Sequence, residues 1–174
     1  MQPHGRPTAG GGLWVALVAL CSLFNVHCAS SGSDEPPGTS LGTFHATALL
    51  TRNDCGAGVE APTSYEFDFV LSQDDTAIYW TQSGTTLVGS VDDEDATWIY
   101  QALGQADGLC TIQREQVFEA TLDDAASPSS LKGTIHQDVA PTTGASCSQQ
   151  TVAAGGSFDN LPCAVGYVFS ATRK

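Results

Sequence analysis

Positive charge is what this 174-residue chain has least of: 6 Lys and Arg stand against 19 Asp and Glu, for a formal net charge of -13. Affinity for nucleic acid comes mainly from cations that neutralise phosphates and release counterions, so no nucleic-acid partner is expected. The same deficit removes docking on anionic headgroups through a basic patch. Any membrane attachment has to come from apolar groups. Also missing is a helical period sustained over three turns, and without crossover helices a parallel sheet cannot be built. The catalytic motifs H-E-x-x-H and G-x-S-x-G do not occur, so neither a zinc-binding helix nor a serine elbow is in place. Cysteines recur at spacings of 55, 37 and 16 residues from Cys55 onward, with no close pair of the C-x2-C kind that holds zinc. His45 and His136 alternate against Phe44, Ala46 and Ile135, which turns both outward. No catalytic residue, metal or cofactor is expected, and the chain reads as a non-enzyme.

What is present begins with an address. Residues 1–12 carry Arg6 and no acid, and the apolar run Leu13–Val26 follows. That order is the n-region and h-region of a signal peptide, and 14 residues fall short of the ~20 that span a bilayer. Cys28 comes directly after, then Ala29-Ser30-Ser31-Gly32-Ser33-Asp34-Glu35-Pro36-Pro37-Gly38, a small, polar stretch unable to bury enough surface to fold. The expected organisation is a signal peptide over 1–27, a flexible tether over 28–41 and one β-domain over 42–174. With 41% apolar and 14% charged residues, the chain has the composition of a globular protein.

Cysteine, apolar run and tether together resemble the processing site of a bacterial lipoprotein, in which Cys28 becomes the lipidated first residue. His27 and Asn25 stand where that signal usually has a small residue and a Leu-like one; Cys21 is a second candidate inside the apolar run. Ordinary cleavage near Ala29 or Ser30, giving a free secreted or periplasmic protein, is the alternative. The organisation is similar to that of small envelope lipoproteins of Gram-negative bacteria, particularly the acidic, Gly- and Thr-rich kind found in myxobacteria. Ala29 brings no acid after the cysteine, which the resemblance reads as outer-membrane sorting. Removing Cys21 and lipidating Cys28 leaves Cys55, Cys110, Cys147 and Cys163, an even number that in an exported chain implies two disulfides. Three pairings exist; Cys147 with Cys163 and Cys55 with Cys110 is the arrangement expected here.

From Leu41 on, alternation of period two is broken by Gly, Asp, Pro and Ser clusters. Tyr65, Phe67, Phe69 and Leu71 share one face while Glu66 and Asp68 share the other, the pattern of a half-buried strand. Further strands are expected over 43–52, 76–82, 86–91, 97–101, 110–122, 130–139 and 164–172. The fold class is all-β, an antiparallel meander of about eight strands forming a barrel or a two-layer sandwich. The barrel has the advantage of leaving no exposed edge. Gly42-Thr43-Phe44 at the first strand and Arg173 at the last are similar to lipocalins, which show G-x-W at the first position; that resemblance implies a closed barrel.

Three features are candidates for function. The run Asp92-Asp93-Glu94-Asp95 lacks the spaced pattern of a calcium loop, and a solvated turn is expected. Phe67, Phe69, Trp80, Trp98 and Phe118 would line a pocket if the barrel interior is hollow. Alternation also puts Arg114 and Gln116 on the inward face with Ile112 and Phe118. A polar pocket floor beside Trp98 or Tyr100, a bulge that resets the alternation, or an inward face that reaches solvent at the rim would each account for this arginine. The functional expectation is an exported, lipid-anchored envelope protein with a structural or binding role. Its partners would be the membrane, through lipid on Cys28, and an envelope protein or small ligand. A lipocalin-like carrier of a small apolar ligand is the alternative.

Overall fold

A computed structural model describes residues 36–174. The segment expected to be a signal peptide, Cys28 and most of the expected tether lie outside the described residues. Eight antiparallel strands follow one another: β1 (Thr39–Asn53), β2 (Ser64–Asp74), β3 (Ala77–Gln82), β4 (Thr85–Asp92), β5 (Asp95–Asp107), β6 (Cys110–Leu122), β7 (Ser130–Pro141) and β8 (Cys163–Arg173). They close in sequence order into a barrel. β1 starts before the expected boundary because the last tether residues are already tied down: the Ser72 hydroxyl donates to the Pro37 carbonyl and Leu41 is buried. The two stretches that resemble lipocalins meet in space. Phe44 pairs with Arg173 across β1 and β8, and the Arg173 Nε lies 2.5 Å from where a Cβ on Gly42 would stand. Gly42 has φ 123°, so a side chain there would be strained as well as obstructed.

Alternation explains the layering. Inward positions hold Phe44, Ala46, Phe69, Leu71, Ile78, Trp80, Trp98, Phe118, Leu122, Ile135 and Phe169, all buried. Outward positions hold Glu66, Asp68, Glu119 and Lys132, all exposed. An apolar inside with a charged outside is the inverse of a transmembrane barrel. Among the described residues, no helix is long and apolar enough to cross a membrane. Large rings inside require small residues opposite them: a Cβ on Gly89 would lie 2.3 Å from the Thr97 carbonyl oxygen and 2.5 Å from the Trp98 ring.

The two ends of the barrel differ. At one end the connections are the two-residue turns Asp75-Thr76 and Asp93-Glu94 and the loop 123–129, and both the start of β1 and the end of β8 are there. Asp75 and Asp93 take positive φ, as tight hairpins demand. Asp123 holds its loop, its carboxylate accepting from the Ser129 hydroxyl and from the backbone N–H groups of Ser129 and Ser130. These bonds keep its pKa down at about 2. The four acids 92–95 are exposed around one of these turns, where Asp95 accepts from the Thr121 hydroxyl at 2.7 Å.

At the other end, loops 54–63 and 142–162 are long, and the second contains two 3-10 turns (Ser148–Gln150 and Val152–Ala154). Phe158 is buried between these loops, bridging to Gly56 and Thr151. Both disulfides are here: Cys55 with Cys163 (Cα–Cα 5.1 Å) and Cys110 with Cys147 (4.7 Å). These pairings replace the expected ones. Cys55 lies two residues past the end of β1 and Cys163 opens β8, strands that become neighbours only when the barrel closes. Two disulfides indicate an oxidising, exported compartment.

Candidate functional site at the barrel mouth

The end opposite the chain's entry into β1 is a mouth. Its inward residues come from the mouth-side halves of seven strands, β2 to β8: Tyr65, Gln82, Leu87, Tyr100, Gln116, Gln137 and Tyr167. The long loops cover the side formed by β8 and β1, while the β3 to β6 side is left open, because β4 and β5 pair over four residue pairs only, from Gly89↔Trp98 to Asp92↔Asp95. Above Trp98 the two strands are not laddered. A cleft of about 250 Å³ opens there, lined by Trp80, Gln82, Leu87, Tyr100, Gln116 and Phe118.

The cleft combines apolar walls with the amides of Gln82 and Gln116, and Gln116 leads to an unsatisfied amide beyond the lining. Gln116 and Gln137 face each other in register, and the Gln116 amide donates to the Gln137 carbonyl oxygen at 3.4 Å. The Gln137 Nε2 is buried without a hydrogen-bond partner among the described residues. An unsatisfied buried donor costs about 1–3 kcal/mol, so its retention calls for an explanation. Beyond it, Tyr65 and Tyr167 meet edge to face at 5.0 Å. Burial pushes the Tyr65 hydroxyl up to about 12 and raises that of Tyr167 as well, so both remain protonated donors at neutral pH.

The residues expected to line a pocket do converge, but as packing. Trp80 is the hub: its ring stacks on Phe69 at 3.7 Å and lies 5.9 Å from Phe67, 5.4 Å from Trp98 and 5.3 Å from Phe118. Phe69, Trp80 and Trp98 are at most 1% exposed. They fill the interior, and the Trp98 indole N–H donates to the Ile78 carbonyl at 3.1 Å. Only Trp80 and Phe118 reach the cleft. Arg114 is exposed. Its strand is in unbroken register on both sides, Ala102 and Val139, so no bulge resets it. It stands one inward step above Gln116, where the face reaches solvent at the rim, and the polar floor is Gln116 with Gln137. Gln137 was readable in principle, since it alternates in phase with Ile135 and Val139.

His45 and His136 lie on the outer wall. His45 Nδ1 meets Asp68 at 2.8 Å and His136 Nε2 meets Asp138 at 3.2 Å. Lys174 also binds Asp68, and these bonds, the Lys174 one foremost, lower its pKa. A wider, shallow depression of about 820 Å³ lies beside the long loops, where Arg52 is ion-paired with Asp54. Comparison with protein-family models, curated proteins and solved structures finds no significant match. The functional reading therefore rests on the barrel mouth and the chain's organisation.

Proposed function

We propose that this is an exported, non-enzymatic envelope protein, anchored by lipid on Cys28, whose barrel mouth serves a binding role. The observation that carries the reading is the polarity of the barrel. β1 begins at the tightly turned end, with Thr39 paired to Gln73 beside the β2–β3 turn, so a tether from Cys28 joins that end. The mouth, with its unsatisfied Gln137 amide, is at the other. An anchored molecule would present the mouth away from the membrane, and the outer membrane is the proposed address. The cell-envelope lipoproteins it resembles, including the myxobacterial kind, share this order of signal, cysteine, tether and β-domain.

Intact-mass analysis of protein from the native membrane tests the anchor: loss of residues 1–27 with acyl mass on Cys28 is expected, and an unmodified chain starting near Ser30 would overturn it. Carriage of a small apolar ligand is the second reading, favoured by Trp80, Leu87, Tyr100 and Phe118 in the cleft. With about 250 Å³ the cleft is below the usual 300–1,000 Å³ of ligand pockets. It suits one small group at the rim; a lipocalin-type cargo would need a hollow interior. Mass spectrometry of small molecules extracted from the purified protein tests this, with a stoichiometric apolar compound expected and an empty barrel counting against it.

A further inference from the structure

We infer that the cleft at the mouth takes a small aromatic carboxylate, an inference that rests on the reading of the mouth as a binding site and names its ligand class. Along β5 and β6 the inward side chains change character step by step towards the rim. Trp98 and Phe118 pair at the floor, Tyr100 and Gln116 above them, and Ala102 and Arg114 above those. At ~3.3 Å per residue each step is about 7 Å, so ring, amide and guanidinium follow one another on one wall. Ala102, opposite Arg114, adds only a methyl group there.

The polar groups of this wall are donors in want of acceptors. The Trp80 indole N–H donates to Gln82 Oε1 at 3.3 Å, which fixes the orientation of that amide and leaves its NH2 without a partner among the described residues. Gln116 and Gln137 share one long bond, and whichever of the two donates, the NH2 of the other is left over. Arg52 and Lys174 are ion-paired with Asp54 and Asp68, whereas Arg114 makes no ion pair among the described residues. In a chain with 19 acids, none lines the cleft. Spare donors beside an unpaired cation call for a ligand that brings oxygen acceptors and negative charge. A carboxylate does both, accepting from amides and pairing with a guanidinium.

The floor and the volume set the other end of the ligand. Trp80, Leu87, Tyr100 and Phe118 offer ring faces and apolar edges, which favours an aromatic body. A cavity of about 150 Å³ holds benzene, so about 250 Å³ holds one ring with a short carboxylate arm. The net charge of -13 opposes an anion at long range. Beyond about 8 Å that field is screened at physiological salt, and the charge met inside the mouth is that of Arg114.

Titration of the mature protein with phenylacetate, phenylacetamide and 2-phenylethanol, followed by tryptophan fluorescence, is the test, since Trp80 lines the cleft. Phenylacetate should bind saturably with a Kd of roughly 10 μM to 1 mM, about fivefold or more tighter than the two neutral compounds. R114Q, at an exposed side chain, should remove that preference by weakening phenylacetate alone. K132Q, at an exposed cation of the outer wall, should leave it intact. L87W fills the cleft and should block all three compounds with an unchanged circular dichroism spectrum. Equal affinities for the three, or a preference indifferent to R114Q, would overturn the carboxylate and leave the mouth as a binding site; binding indifferent to L87W would overturn both. No saturable change with phenylacetate would also overturn the inference, and the small molecules extracted from the purified protein then decide separately whether the mouth binds.

Discussion

The two ends of the barrel stabilise the same fold by different means. The end where the chain enters has short turns, an Asp123 carboxylate holding one loop, and an interior closed by Phe44, Leu71, Ile78, Trp98, Leu122 and Leu131, each at most 1% exposed. Among the described residues it contains no disulfide. The mouth end has long loops, inward glutamines and tyrosines, an incomplete β4–β5 ladder and both disulfides. Packing suffices where alternation delivers apolar rings from every strand. Where inward positions are polar, covalent links do the holding, and the residues released from packing become available for binding.

Two aromatic residues on one face of β5 give the sharpest contrast. Trp98 is fully buried and Tyr100 is 42% exposed. Trp98→Ala should lower stability by about 3–5 kcal/mol, whereas Tyr100→Ala should change it by less than ~1 kcal/mol; denaturant unfolding of both variants measures this, and equal losses would erase the distinction between the ends. Next in size, replacing Cys55 and Cys163 by alanine should lower stability by about 2–4 kcal/mol. The Cys110 and Cys147 double variant should lose about 1 kcal/mol less, because it closes 37 residues of chain against 108. Thermal melts of the two variants rank them.

Gln137→Leu removes the unsatisfied donor together with the long bond its Oε1 accepts from Gln116, whose amide is left to the cleft, so the two effects offset and stability should change by less than ~1 kcal/mol while whatever binds the mouth is weakened; a larger loss would mean that the Nε2 has a structural partner. The smallest effect is one of pH at the closed end. The folded-state pKa of Asp123 is lowered to about 2, so its contribution is fully present above its unfolded value near 4 and fades as pH falls towards 2. Wild type should therefore melt progressively lower across that interval, and Asp123→Ala should flatten that part of the profile.

Much of this architecture was legible in the sequence, for identifiable reasons. Tyr65 to Leu71 alternates cleanly because β2 has one face on the core and one in water, and the same holds for Phe118 to Leu122. β5 was foreseen only to Gln101, since Ala102, Gly104 and Ala106 provide no apolar beat, although the strand continues to Asp107. Arg114 was assigned to the right face, but alternation carries no information about depth along a barrel, so rim and floor could not be told apart. The disulfide pairs were out of reach because Cys55 and Cys163 meet through closure, a property of all eight strands and not of any local segment. The cleft was invisible for the same reason: it exists because one ladder stops early.

Amide hydrogen exchange on the oxidised and the reduced protein tests the division of labour between the ends most directly. Reduction should release the amides of loops 54–63 and 142–162 and of the strand ends beside them, while those around Leu71, Ile78, Trp98, Leu122 and Leu131 keep their protection. Loss of protection at both ends together, or at the tightly turned end first, would contradict the account.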